Sequence, residues 1–190
     1  MLAVGVVAVQ GAVREHLEAI RRIGEEARPV RTVEEIAASD ALIIPGGEST
    51  TIGKLMARYG LLQPVRDFVA SGRPILGTCA GMILMAKKIE GAAHDQPALS
   101  LMDIAVQRNA FGRQIDSFEA DLNFEGIDGR PVRGVFIRAP LVTAVGPEVQ
   151  VLATHEGRVV AARQERMLAL SFHPELTSDS RIHQYFLSLQ

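Results

Sequence analysis

The chain has 190 residues, of which 47% are hydrophobic and 22% charged, a balance that fits one globular domain over 1–190 with a sizeable core. Its formal net charge of −2 excludes a broad basic surface for nucleic acid or an anionic membrane. A single cysteine excludes an internal disulfide and fits a reducing, cytoplasmic setting. The sequence also lacks zinc-spaced Cys/His clusters and a phosphate-loop motif, so neither a metal nor a nucleotide cofactor is expected.

Residues 2–9 form a continuous apolar, β-branched run, which predicts a buried parallel strand. The run has no positive flank and is too short to span a bilayer. Gln10-Gly11 breaks it, and 13–23 follows with helical spacing: Leu17, Ile20 and Ile23 inward, Arg14, Glu15, Glu18, Arg21 and Arg22 outward. Residues 27–30 suggest a short strand, 33–37 a helical turn, and 41–44 a buried strand stopped by Pro45-Gly46-Gly47. The hydroxyls of Ser49, Thr50 and Thr51 suit the cap of a helix over 52–59, with a second helix at 61–70. An apolar run at 74–76 then meets Gly77-Thr78-Cys79-Ala80-Gly81, and a helical pattern continues to Ile89. This alternation of strand and helix predicts an α/β domain: a mostly parallel sheet with helices on both faces.

Beyond Ile89 the pattern changes. A small-residue loop at 91–100 precedes strand-like segments at 104–107, 117–122, 132–137, 141–145, 149–154, 159–163 and 167–172. Turn pairs such as Asp128-Gly129 and Glu156-Gly157 predict antiparallel hairpins added to the parallel core. An amphipathic helix is expected over 179–189.

Two stretches carry chemistry. Gly77-Thr78-Cys79-Ala80-Gly81 is the thiol form of a nucleophile elbow, where a tight strand-to-helix turn projects the side chain away from the backbone. Such a turn needs small flanking residues, and the helix start beneath the thiol favours negative charge there. A lone cysteine is otherwise read as a buried structural residue. His173-Pro174-Glu175 ends the last strand, so the carboxylate of Glu175 can orient the His173 imidazole, which can take a proton from Cys79. The other histidines, His16, His94, His155 and His183, suggest solvent-facing or local hydrogen-bonding roles. Pro45-Gly46-Gly47-Glu48-Ser49 lies at a strand's carboxyl end, where open α/β sheets bind ligands. There the backbone N–H groups of Gly47 and Ala80 suit an oxyanion hole, and Glu48 can accept from a cationic or amide group.

Together G-T-C-A-G, P-G-G-E-S and H-P-E resemble the class I, or triad, glutamine amidotransferases. The blocks V-Q-G-A-V-R-E-H at 9–16, P-G-G-E-S-T-T-I-G-K-L at 45–55, R-N-A-F-G-R-Q at 108–114, F-I-R-A-P at 136–140 and S-F-H-P-E-L at 171–176 narrow the resemblance to the glutaminase subunits of pyridoxal 5′-phosphate synthases. The resemblance implies a three-layer, flavodoxin-like fold and hydrolysis of L-glutamine to glutamate and ammonia through a thioester on Cys79, with His173 and Glu175 completing the triad. It implies glutamine binding by Gly47, Glu48, Ser49, Arg108, Ile137 and Arg138, and no cofactor. It also implies a (β/α)₈-barrel synthase partner in a large hetero-oligomer that receives the ammonia for pyridoxal 5′-phosphate (vitamin B6) synthesis and switches the glutaminase on. A glutaminase serving another synthetase, a redox sensor with an elbow cysteine and a docking subunit with a dead site are the competing readings.

Overall fold

The computed structural model describes residues 1–91, 96–108 and 117–190. The block at 108–114 beyond Arg108, part of the 91–100 loop, and His94 lie outside them.

The first half alternates as its periodicity predicts: β1 (Ala3–Val7), α1 (Val13–Arg22), β2 (Glu26–Val30), α2 (Val33–Ala37), β3 (Ala41–Ile44), α3 (Ser49–Arg58), α4 (Leu62–Ala70), β4 (Ile75–Thr78) and α5 (Ala80–Met85). The second half is richer in strands: β5 (Ala86–Glu90), β6 (Met102–Gln107), β7 (Ser117–Leu122), β8 (Val132–Ile137), β9 (Leu141–Val145), β10 (Gln150–His155), β11 (Arg158–Gln164) and β12 (Met167–Leu170). A 3₁₀ turn at Pro174–Leu176 and α6 (Arg181–Leu187) close the chain.

The main sheet runs β2-β1-β3-β4-β12-β11-β9-β6-β5, with β10 paired to β11. Strands β2, β1, β3, β4 and β12 are mutually parallel, and β11 and β9 introduce antiparallel pairs. One core cluster gathers α3, α4 and α5 against one face of the sheet, through Ile52, Met56, Val65, Phe68 and Leu84. A second gathers α1 and α6 against the other, through Ile20, Ile182, Phe186 and Leu189. The result is three layers, as a doubly covered parallel sheet requires.

Four expectations change. The helix after Cys79 stops at Met85, and Ala86–Glu90 forms a strand parallel to β6. Ala-Lys-Lys-Ile is too short to distinguish helical from strand period, and β6 supplies backbone partners plus an ion pair from Lys87 to Asp103 at 3.6 Å. The helix expected at 52–59 starts earlier, at Ser49, and its cap is Glu48, whose carboxylate accepts from the Thr50 and Thr51 N–H groups. The last strand ends at Leu170, because His173 gives its N–H sideways to the Val135 carbonyl at 2.8 Å. Strands β7 and β8 form a separate two-stranded ribbon instead of joining the sheet. Phe118 and Phe136 of the ribbon stack, and Phe136 packs on Phe172, so the ribbon braces the turn that carries His173. The hairpin expected at Glu156-Gly157 is present between β10 and β11, with both turn residues at positive φ (48° and 74°).

Candidate active site

Register brings the chemistry together. Ile44 aligns with Gly77 across β3 and β4, and Leu170 aligns with Thr78 across β12 and β4. Three neighbouring parallel strands thus end level, and the segments that follow them, 45–49, 79–81 and 171–175, converge at the carboxyl edge of the sheet.

Cys79 occupies the tip of the β4–α5 turn with φ 50° and ψ −102°, an unfavourable conformation for a residue with a side chain. Such strain costs about 1–3 kcal/mol and persists only where the surroundings hold it. Here the Cys79 N–H donates to the Leu170 carbonyl at 2.8 Å, and its carbonyl accepts from Ile83 at 3.2 Å. The small neighbours are required by space: a Cβ at Gly81 would overlap the carbonyl oxygen of Ile44. The sulfur lies 3.8 Å from the Ile137 carbonyl oxygen. Arg138, the next residue, also has positive φ (43°), so two strained non-glycine residues line one cavity.

His173 Nδ1 lies 2.7 Å from Glu175 Oε1, and the imidazole also hydrogen-bonds Cys79. Burial pushes the imidazole towards the neutral form, but the hydrogen bonds to Cys79 and Glu175 and the charges of both outweigh it, raising its pKa to about 10. Burial also pushes Glu175 towards its neutral form, but electrostatic attraction to His16, with the hydrogen bond and charge of His173, keeps its pKa below the ordinary carboxylate value. The backbone at Gly46 passes directly over this pair, and a Cβ there would overlap His173 Cε1.

The triad opens into a cavity of about 320 Å³ lined by Gln10, Gly47, Glu48, Ser49, Cys79, Ile83, Arg108, Ile137, Arg138 and His173. Every side chain named from the motifs therefore reaches one hollow, with Glu175 just beneath it. A larger hollow of about 500 Å³ beside β8 contains no member of the triad. Glu48 is more committed than its motif suggests. Its carboxylate accepts from Thr50 N–H at 3.0 Å, Thr51 N–H at 2.7 Å and Thr51 Oγ1 at 2.7 Å, and pairs with Arg108 at 3.2 Å. Partial burial works against these donors without cancelling them, and its pKa falls to about 2. Arg108 Nη1 also donates to Thr50 Oγ1 at 3.2 Å and Gln96 Oε1 at 3.0 Å, whereas Arg138 has no such tie among the described residues.

Three side chains at the site have no role in the motif reading. Gln10, at the end of β1, accepts the Glu48 N–H at 2.9 Å and joins the cavity wall. The available signal is a polar residue closing a buried strand at the ligand edge. His16 and His183, expected to face solvent or to make local hydrogen bonds, are fully buried behind Glu175 and hydrogen-bond each other across the fold. The signal for His16 is its place four residues before Ile20, on the inward stripe of α1.

The sequence pattern of the SNO glutamine amidotransferase family matches residues 6–189. A "Pyridoxal 5′-phosphate synthase subunit PdxT" from Desulforudis audaxviator (strain MP104C) is 57% identical over 187 residues, covering 98% of each chain. A protein of the same name from Niallia circulans is 57% identical over 188 residues, covering 99% of this chain and 97% of its own. Among solved structures, a glutamine amidotransferase superimposes with a TM-score of 0.93 at 52% identity, covering 98% of this chain and 97% of its own. A putative GMP synthase component from Thermoplasma acidophilum shares the fold alone, with a TM-score of 0.71 at 18% identity over 100% of this chain and 94% of its own.

Proposed function

This chain belongs to the SNO glutamine amidotransferase family, and on that premise we propose that the cavity over Cys79 is where it hydrolyses L-glutamine, as the glutaminase subunit of a pyridoxal 5′-phosphate synthase. The observation that carries the site is the linked set Cys79–His173–Glu175, buried beneath a cavity that holds two arginines.

The chemistry follows from the charges. Held protonated to about pH 10, His173 at neutral pH is an imidazolium beside the sulfur, so its charge offsets the negative charge that Cys79 brings to the attack. The sulfur adds to the side-chain amide carbon of glutamine, and the carbonyl electrons move onto oxygen. The backbone N–H groups of Gly47 and Ala80 are assigned to that oxyanion. His173 then gives its proton to the amide nitrogen, the C–N bond breaks, ammonia leaves and a γ-glutamyl thioester remains. Two of the interactions that raise the imidazole pKa come from Cys79, and acylation of the sulfur removes them. His173 is thereby converted into a base, able to take a proton from the water that attacks the thioester. Collapse of that intermediate returns the proton to the Cys79–His173 pair and releases glutamate.

For recognition, a guanidinium suits the substrate's α-carboxylate by bidentate hydrogen bonding. Arg138 is assigned this role, with Arg108 as a fixed positive wall. Ser49, Gly47, Ile137 and the Glu48 carboxylate complete the binding set. Residues 1–190 are read as one glutaminase domain in the cytoplasm. No helix among the described residues is long and apolar enough to cross a membrane. The ammonia is passed to a (β/α)₈-barrel synthase subunit in a hetero-oligomer. Docking of that subunit is assigned to rotate the Gly46–Gly47 peptide. The Gly46 carbonyl now accepts from Ala12 N–H at 3.0 Å, so rotation gives up that bond, and the partner's contacts must offset it. Equal glutaminase turnover with and without the synthase would remove this last element.

The deciding experiment is reconstitution with the cognate synthase. Cys79→Ala is expected to abolish glutamine-dependent pyridoxal phosphate formation while ammonium salts still support it. Failure of ammonium to rescue would refute the assignment.

A further inference from the structure

The triad uses only one oxygen of Glu175. Oε1 takes the His173 Nδ1–H at 2.7 Å, while Oε2 is buried and has no hydrogen-bond partner within normal geometry among the described residues. A buried carboxylate oxygen facing nothing would cost several kcal/mol. What it faces is His16. Its Nε2 lies 3.5 Å from Oε2 and 3.1 Å from Thr78 Oγ1, and its Nδ1 lies 3.3 Å from His183 Nε2. Both imidazoles are 0% exposed, on two separate elements, α1 and α6.

The tautomers follow from the neighbours. The titratable or charged groups around His16 are Glu175 and His173 from the turn after β12, Glu15 beside it on α1, and His183 from α6. Burial, partly opposed by Glu175, makes His16 hard to protonate, and burial with His16 as neighbour does the same to His183. Two neutral imidazoles in contact share one proton between Nδ1 of His16 and Nε2 of His183. If His16 carried it, its bare Nε2 would accept from Thr78 Oγ1 but set its lone pair against the neighbouring Glu175 oxygen, and His183 would bury an Nδ1–H with no partner among the described residues. If His183 carries it, His16 presents Nε2–H to Thr78 Oγ1 with Oε2 alongside, and the ring atom left unpaired among the described residues is an acceptor nitrogen, His183 Nδ1. Buried donors without partners are the rarer case, so both ends of the chain select the same arrangement.

We propose that His16, with its tautomer set by His183, is a positioning residue for the glutaminase reaction: its Nε2–H holds the second oxygen of Glu175, so that the first stays aimed at His173. The relay runs His183 → His16 → Glu175 ← His173 → Cys79, from the back of α6 through the sheet edge to the nucleophile. At 3.5 Å the His16–Glu175 contact is longer than a full hydrogen bond. It acts as an N–H dipole on a carboxylate.

This inference rests on the glutaminase reading and is tested by steady-state kinetics of the complex with its synthase. His16→Leu removes the donor and keeps the volume. It is expected to lower kcat for glutamine hydrolysis by about 10-fold or more, with KM changed less than about threefold, because the substrate's own contacts are untouched. His16→Gln, which restores an N–H near the same point, is expected to recover most of that loss. Equal kcat in all three proteins, or an equal loss in both variants, overturns the proposal. Absence of glutamine turnover in the unmodified complex would instead refute the glutaminase reading itself. One measurement needs no variant: ¹⁵N-detected imidazole NMR of the unmodified chain should show His16 neutral with the proton on Nε2. The Nδ1–H tautomer, or an imidazolium, overturns the proposal even if the variants fail to fold.

Discussion

The floor and the rim of the cavity differ in how their charges are held. On the floor Cys79, His173 and Glu175 are 7%, 7% and 4% exposed, and each is fixed by partners from several elements. On the rim the Arg108 and Glu48 side chains are 27% and 50% exposed and are held by one another and by the start of α3. Low dielectric makes the floor's interactions strong and its geometry unforgiving, while water screens the rim. The floor groups are therefore preassembled, and the rim groups have room to adjust.

Single substitutions separate the two regions, with the floor giving the largest effects. Cys79→Ala and His173→Asn should each cost about 10⁴-fold or more in glutaminase kcat, since members of a triad act as a unit. Residual turnover within 100-fold of the unmodified complex would mean that the floor is not the reacting centre. Glu175→Gln should cost about 10³- to 10⁴-fold in kcat with KM nearly unchanged, because a neutral amide no longer stabilises the His173 cation. A change confined to KM would move Glu175 into substrate binding. On the rim, Arg138→Ala should raise KM for glutamine about 10- to 100-fold, the loss of one or two charge-assisted hydrogen bonds, and leave the melting temperature close to that of the parent. If Arg108→Ala alone raises KM, the two arginines exchange roles.

Two smaller effects separate floor from rim by pH. The His173 pKa is raised in the folded protein to about 10 from 6.5. Its contribution to stability is therefore complete below about pH 6.5 and lost as pH rises through about 10. Thermal melts from pH 7 to 10.5 should fall more steeply for the parent than for His173→Asn, and parallel curves would contradict the ion-pair picture. The Glu48 pKa is lowered to about 2 from 4.5, so its contribution is present above about pH 4.5 and lost as pH falls towards 2. Glu48→Ala should cost about 1 kcal/mol as a lost helix cap. The gap between it and the parent should close as pH falls through that window. A gap that persists at pH 2 would show that packing, not charge, is what Glu48 supplies.

Much of the site is legible in the chain because its logic is local. A tight turn needs Gly77 and Gly81, and it then projects the Cys79 side chain away from the backbone. A proline after His173 limits the distance to Glu175. The parallel core is legible too, since residues 2–9, 41–44 and 74–76 are apolar runs, each closed by glycine or proline within two residues. The strand at Ala86–Glu90 is not legible: five residues fit either period, and a partner strand sixteen residues on decides the matter. Nor does local pattern tell that Ser117–Leu122 and Val132–Ile137 pair with each other away from the main sheet, because pairing depends on which edges remain free.

The histidines mark the boundary most clearly. His173 takes its role from its own neighbours in sequence, whereas His16 and His183, 167 positions apart, carry no local sign that they meet. By itself the sequence determined the fold class, the family and the residues proposed as nucleophile and base, because turn sterics, hydrophobic period and motif spacing act within a few residues. Only the tertiary structure decided that β3, β4 and β12 end level, that Glu48 is spent on α3 and Arg108, and that two buried imidazoles stand behind Glu175. Those outcomes depend on register between distant strands and on what burial does to a charge, and neither is a property of any short stretch of chain.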